Sequence, residues 1–335
     1  MKVIFFHRKQ APGNFSIENL FERIRKSLPA DVDYRIKMMR FASKGFFRRI
    51  YCCLEALLSQ GDVNHVTGDI HFIAIFLRKK HTVLTIHDIG FINHPNPLAR
   101  NLLKWFWIQL PVWRSSIITT VSMTTKLEVL KFVHVSPARI RVIYNPISPL
   151  YKPHPKAFNK KKPTILQVGT NYNKNIPRLA EALQGIPCKL QIIGELAPDV
   201  VNLLKRLNIE FSMQTNLTND EIVDQYIACD MLCFVSTVEG FGLPIVEAHA
   251  IGRVVVTSNV SSMPEIAGNA AHFVNPFDIA SIREGIMKVI EDDAYREELI
   301  SNGYENRKRF DEGQIANEYA RVYRSLLQKI DKLNW

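Results

Sequence analysis

Apolar and polar positions follow two rhythms along this chain. Short apolar runs recur: "KVIFF", "TVLTIHD" (82–88) and "SIITTVS" in the first half, then "TILQVG" (164–169), "CKLQIIG", "MLCFVS" and "RVVVTSN" in the second. They have the length of strands and are too uniformly apolar for a sheet with one wet face, so they predict parallel strands covered on both sides. "VDYRIKMM", "DVNHVTG", "RIRVIYN" and "IEFSM" predict further strands. Between the runs the spacing turns helical. "SIENLFERIRKSL" (16–28) is apolar at 17, 20, 21, 24 and 28, with Ser16 and Asn19 where a cap belongs. "GFFRRIYCCLEALLSQG" (45–61) ends on a glycine, and "RNLLKWFWIQLPVWR", residues 123–132, "NIPRLAEALQG", "APDVVNLLKRLN" and "NDEIVDQYIACD" read as helices. "IASIREGIMKVIED" and "EGQIANEYARVYRSLLQKI" read as the last long ones.

Strands alternating with helices predict a doubly wound α/β architecture. The alternation breaks once, at "SPLYKPHPKAFNKKKP" (148–163), which is rich in proline and lysine and has no periodicity. With 335 residues, more than one core usually holds, this break divides the chain into domains 1–155 and 156–335. The last helix is a candidate to pack back on the first domain. In doubly wound sheets ligands collect at the carboxyl ends of the strands, so two such domains predict a site in a cleft between them.

One stretch carries chemistry. "VSTVEGFGLPIVEAHAIG" (235–252) leaves a strand, turns on Gly240 and Gly242 and starts a helix at Pro244, with Glu239 and Glu247 eight positions apart. Glycines at the turn permit close approach of a ligand, and amides at the helix start with the positive end of its dipole attract an anion. Two carboxylates beside a phosphate would repel it, so Glu239 and Glu247 suit hydroxyl groups. An anion flanked by polyols describes a nucleotide-sugar. The blander reading makes Glu239 a turn cap and Glu247 a solvated glutamate.

The segment Glu239–Gly–Phe–Gly–Leu–Pro–x–x–Glu247–Ala resembles the E-x7-E signature of the retaining glycosyltransferases of family 4 (group 1 type). "LTIHDIGFINHP", "ITTVSMTTKLEVLKF" with "RIRVIYNPIS", "VGTNYNKNIPRLAEAL" and "SSMPEIAGNAAHFVNPFD" resemble other segments of that family, from about residue 60 to the C-terminus. The resemblance implies the GT-B fold, two Rossmann-like domains facing a central cleft: an acceptor domain first and a donor domain second. It implies a hexosyltransferase that moves a sugar, with retention, from a nucleotide-diphosphate donor to a hydroxyl of a glycan or lipid-linked acceptor, in cell-surface polysaccharide or lipopolysaccharide synthesis. By position, Glu247 would bind the donor's ribose and Glu239 the transferred sugar. Gly240, Phe241, Gly242 and Leu243 would approach sugar and diphosphate, Lys174 would neutralise the leaving group, and His87 would lie near the donor sugar. No metal or other cofactor is implied. The sequence departs from the family in two places. An arginine common beside the lysine is replaced by Asn173 and Thr170, which makes Arg178 a candidate for the diphosphate, and the N-terminal loop "KQAPGNFS" has Gly13 alone where a Gly-Gly pair is usual.

Two other readings share the architecture: a nucleotide-sugar epimerase and a non-catalytic nucleotide-sugar-binding protein. A dehydrogenase is disfavoured, because no G-x-G-x-x-G follows "KVIFF" or "TILQVG".

Charge refines the choice of partner. Residues 1–155 hold 23 Lys and Arg against 9 Asp and Glu, and residues 156–335 hold 20 against 23, so the net +11 arises from the first half. With "KGFFRRIYCC", "FLRKKH" and "ARNLLKWFWIQLPVWR" mixing cations and aromatics, that half is a candidate to rest on an anionic membrane surface; the blander reading makes Trp105, Phe106, Trp107 and Trp113 core residues and the cations a solvated face, and no nucleic-acid motif appears. Five cysteines without CxxC spacing, no signal peptide and no long apolar run predict a cytoplasmic protein, peripheral on the membrane's inner face at most.

Overall fold

In a computed structural model of the chain, residues 1–9, 16–43, 45–90 and 96–331 are described. The apolar runs form two six-stranded sheets. The first contains β1 (Lys2–His7), β2 (Asp33–Met38), β3 (Val63–Val66), β4 (Thr82–Ile86), β5 (Ile117–Thr120) and β6 (Ile140–Val142), in the order β2-β1-β3-β4-β5-β6. The second contains β7 (Thr164–Val168), β8 (Lys189–Ile193), β9 (Glu210–Gln214), β10 (Met231–Phe234), β11 (Val254–Ser258) and β12 (His272–Val274), in the order β12-β11-β10-β7-β8-β9. Every paired strand is parallel.

Alternation along the inner strands feeds a different core on each face, which is why those runs are apolar at nearly every position, while the edge strands β2 and β9 are mostly exposed or half-exposed. In β1, Val3 and Phe5 join one cluster while Ile4 and Phe6 join another. In β10, Met231 and Cys233 face one cluster and Leu232 and Phe234 the other. All five cysteines are buried and free.

The chain divides into two compact units, Met1–Pro146 with the C-terminal segment from Glu312, and Ile147–Asp311. The boundary thus falls at Pro146, earlier than the expected 155/156. Residues after Pro146 bond to the second unit: the His154 amide donates to the Ile251 carbonyl at 3.0 Å, and Lys156 pairs with Asp230 at 2.9 Å. The helix Glu312–Asp331 buries Ile315, Tyr319 and Tyr323 against Val3, Phe5 and Val63, and Tyr323 is hydrogen-bonded to His65 Nδ1 at 2.8 Å.

The expected single helix over "RNLLKWFWIQLPVWR" is interrupted. Helices Pro97–Leu103 and Leu110–Arg114 flank a π-helical stretch, Lys104–Gln109. Pro111 has no N–H to offer the turn before it, and the backbone widens there. The sequence reading also passed over the short strand β12 and the helix Asp293–Asn306.

Candidate functional site

In the second sheet the chain winds outward from β7 through β8 to β9, then crosses back to β10 on the other side of β7. The carboxyl ends of β7 and β10 therefore flank the point where strand order reverses, the usual crevice for a ligand in such sheets. The loops leaving these two strands carry Lys174 and Glu239.

Lys174 Nζ donates to Glu239 Oε1 at 2.7 Å, and both side chains are mostly buried at 15% exposure. The ammonium also lies 4.6 Å from the centre of the Phe234 ring. Asn173 Nδ2 donates to the same Oε1 at 3.1 Å and to the Val238 carbonyl at 2.9 Å, while the Thr237 amide donates to the Asn173 carbonyl at 2.8 Å. One turn on, Asn175 takes a left-handed conformation and donates from Nδ2 to the carbonyls of Val235 (3.1 Å) and Pro276 (2.7 Å). The loop after β7 is thus sewn to the loop after β10.

Gly169 makes the lysine's path available. Its φ is +83°, and a Cβ there would lie 2.8 Å from Lys174 Cε. The backbone of Glu239 is fixed from a third loop. Its amide donates to Ser261 Oγ (3.1 Å), and its carbonyl accepts from Ser261 Oγ (2.8 Å) and Ser262 Oγ (3.0 Å). Ser262 Oγ also reaches the Phe241 carbonyl at 2.7 Å. Ser261 holds φ +58°, a conformation that carries strain in residues other than glycine.

The signature helix is Leu243–Ile251, so it begins one residue before the expected Pro244, which sits in its first turn. Gly242 is the cap at φ +105° and, as a glycine, has no side chain of its own to bond the first amides. Gly240, Phe241 and Leu243 complete the turn, and Phe241 packs edge-on to Phe310. Glu247, half-buried on the helix, accepts from the Tyr226 hydroxyl at 2.6 Å. Arg178, a candidate for the diphosphate, donates to Asn175 Oδ1 at 2.9 Å and lies over the Phe277 ring at 5.7 Å.

The structure therefore brings Lys174, Glu239, Gly240, Phe241, Gly242, Leu243 and Glu247 into one unit. His87 belongs to the other unit, just past β4. Its Nε2 donates to the Thr67 carbonyl at 2.9 Å, and burial lowers its pKa below the ordinary histidine value. The neutral ring then presents Nδ1 as an acceptor. Nearby, Arg25 Nη1 donates to His7 Nε2 at 2.6 Å, so Nδ1 of His7 carries the proton and donates to Thr67 Oγ1. Burial, reinforced by Arg25 and Arg8, lowers the His7 pKa to about 3. Gly13 lies outside the described residues.

Sequence reasoning named Asn173 only as the replacement for an arginine, and missed Asn175, Tyr226, Ser261 and Ser262. Ser261 and Ser262 lie in "SSMPEIAG", a segment noticed only for its likeness.

Two family models cover most of the chain: "Glycosyltransferase Family 4" matches residues 20–149 and "Glycosyl transferases group 1" matches residues 152–306. The chain is 27% identical over 276 residues to the O-antigen chain mannosyltransferase B of Escherichia coli, covering 74% of this chain and 71% of that protein. It is 29% identical over 168 residues to the serotype-specific mannosyltransferase WbdA of Escherichia coli; the match takes in 46% of this chain but only 21% of WbdA's length. Among solved structures, Anabaena Alr3699/HepE in complex with UDP and glucose superposes with a TM-score of 0.75 at 18% identity, over 97% of this chain and 100% of that one. At that identity the likeness establishes the fold.

Proposed function

The chain belongs to the group 1 glycosyl transferases with a family 4 N-terminal domain, built on the GT-B fold, and from that premise we propose that it transfers a hexose from a nucleotide-sugar to a hydroxyl of a glycan or lipid-linked acceptor, with retention at the anomeric carbon, in polysaccharide synthesis. One observation carries the reading: the Lys174–Glu239 pair, held at the strand-order reversal beside the start of the signature helix. The mannosyltransferase names of its relatives make mannose the first sugar to test.

In this reading the donor's diphosphate competes with Glu239 for Lys174. The lysine, rather than a divalent ion, neutralises charge growing on the departing phosphate as an oxocarbenium-like transition state forms. Glu239, still held by Asn173, is released to accept hydroxyls of the transferred sugar. Glu247 accepts the ribose hydroxyls; the acceptor hydroxyl enters on the leaving-group face, its oxygen bonds the anomeric carbon as the sugar–phosphate bond breaks, and its proton passes to the departing phosphate, so no enzyme nucleophile is required. His87, neutral and anchored through Nε2, offers Nδ1 to a hydroxyl. A thermal-shift screen of UDP-, GDP- and ADP-sugars tests the reading: one base should stabilise the protein selectively, and Glu247→Ala should weaken that response at least tenfold in concentration. No response to any of them would refute it. Proton NMR of the product's anomeric linkage tests retention.

We also propose that the first unit rests on an anionic bilayer. Residues 34–54 contain Arg35, Lys37, Arg40, Lys44, Arg48 and Arg49 and no acidic residue. The helix Phe46–Leu57 leaves Phe46 71% and Phe47 84% exposed, and Leu58 after it 86%. Cations with exposed aromatic and aliphatic side chains match a surface of acidic headgroups over hydrocarbon. Among the described residues no helix is long and apolar enough to cross a membrane. Binding to phosphatidylglycerol vesicles should exceed binding to phosphatidylcholine vesicles, and replacing Phe46 and Phe47 with serine should abolish it. Equal binding to both vesicle types would count against this surface.

A further inference from the structure

The helix Asn219–Ala228 lies outside the signature motif, yet it supplies a side chain that grips the motif's second glutamate. Tyr226 is fully buried, and its hydroxyl donates to Glu247 Oε2 at 2.6 Å. The phenol itself is immobile. Its ring packs among Leu166, Leu232, Ile245 and Ala248, with the Tyr151 ring edge-on at 5.5 Å.

Its backbone is held as firmly. Buried Arg253, just after the signature helix, donates from Nε to the Tyr226 carbonyl (3.1 Å), from Nη2 to the Ile227 carbonyl (2.8 Å) and from Nη1 to the Gly252 carbonyl (3.2 Å). A capping box between Thr218 and Glu221 fixes the other end of the tyrosine's helix. The two helices are therefore joined twice, once through Arg253 and once through the tyrosine–glutamate bond.

A half-buried glutamate has several free torsions, and ordering it at the moment of binding costs affinity. A bond from an immobile donor removes that cost in advance. Burial, and Glu247 after it, raise the Tyr226 pKa well above the usual tyrosine value, so the hydroxyl keeps its proton and stays a donor.

We propose that Tyr226 is a positioning residue for the donor: it presets the Glu247 carboxylate in the orientation that accepts the ribose hydroxyls. The inference rests on the assignment of Glu247 to the ribose. It predicts that Tyr226→Phe, which keeps the ring and removes one oxygen, erases a ribose-specific share of affinity and leaves the rest.

The test compares, by calorimetry, the nucleoside diphosphate selected in the donor screen with its 2′,3′-dideoxy form. The unaltered protein should prefer the ribonucleotide by about tenfold or more, as expected where a charged acceptor bonds hydroxyls. In Tyr226→Phe the ribonucleotide should weaken to within about threefold of the dideoxy form, while the dideoxy form binds as before. Donor KM should rise with kcat nearly unchanged, because the ribose is remote from the reacting carbon. Three results overturn the inference. If Tyr226→Phe keeps the full ribose preference, or weakens both ligands equally, the tyrosine does not act through the ribose contact. If the unaltered protein shows no preference, the assignment of Glu247 falls, and this inference falls with it. The variant retains its core packing, so a melting temperature within a few degrees of the unaltered protein's is expected and is checked first.

Discussion

In both sheets the chain starts at an inner strand, winds outward, and crosses to the other side, leaving a crevice between β1 and β3 in the first unit and between β7 and β10 in the second. The two crevices are furnished differently. At β7/β10 the polar groups are charged and paired, with Lys174 on Glu239 and asparagine and serine side chains binding three loops together. At β1/β3 the central groups are neutral imidazoles, His7 and His87, both bonded to Thr67. The winding supplies a place, and the loops decide its chemistry. A lysine–carboxylate pair can exchange partners with an incoming anion, whereas at β1/β3 His7 spends both ring nitrogens inside the protein and, of the two rings, His87 keeps Nδ1 to offer.

The sharpest way to break this contrast is Lys174→Ala. If the second crevice handles leaving-group charge, turnover should fall by about 10²–10³-fold, while neither unit loses its fold by circular dichroism. A milder loss would transfer the role to another group.

Two glycines isolate the lysine's setting from backbone strain. Gly169 (φ +83°) and Gly185 (φ +77°) are both left-handed, but only at Gly169 would a Cβ meet Lys174; at Gly185 nothing lies within 4 Å. Alanine at either should cost about 1–3 kcal/mol of stability, read from urea melts. Only Gly169→Ala should also lower turnover, by about tenfold, because the Cβ would displace the lysine carbon.

Acid provides the gentlest probe. Burial lowers the pKa of His7 to about 3 and of His249 to about 4, and it lowers His65, His71, His87 and His272 as well. Histidines held neutral in the fold contribute stability that is complete above their unfolded pKa, near 6.5, and lost as pH falls toward the folded values. Each adds a slope of about 1.4 kcal/mol per pH unit within its window. Four of the six lie in the first unit. Residues 147–311 contain no tryptophan, so tryptophan fluorescence reports the first unit. Between pH 6.5 and 4 its unfolding midpoint in urea should fall more steeply than the midpoint followed by circular dichroism.

Much of the fold was legible because parallel strands buried on both faces are apolar throughout, as in "TVLTI" and "VVVTS". β12 was not legible, since three residues make no pattern. The helix Asp293–Asn306 was missed because so much of it is polar. In the candidate site, the motif residues stood out through the resemblance of the whole E-x7-E segment, since glycine, proline and glutamate at that spacing also fit a capped turn with a solvated glutamate. Tyr226 did not, because a tyrosine on an amphipathic helix looks like core until the fold shows where its hydroxyl points. The bonds of Asn173, Ser261 and Ser262 were hidden for a related reason: they span loops far apart in sequence, and spacing holds no trace of such pairings.

The first unit is interrupted, since the chain leaves it at Pro146 and returns at Glu312 with Tyr319 and Tyr323 for its core. During synthesis the second unit can therefore mature on the ribosome while its predecessor waits, still missing a wall. Cutting a gene at the linker would yield one sound half and one unfinished half, and domain exchange between relatives has to carry the C-terminal helix with the amino-terminal part.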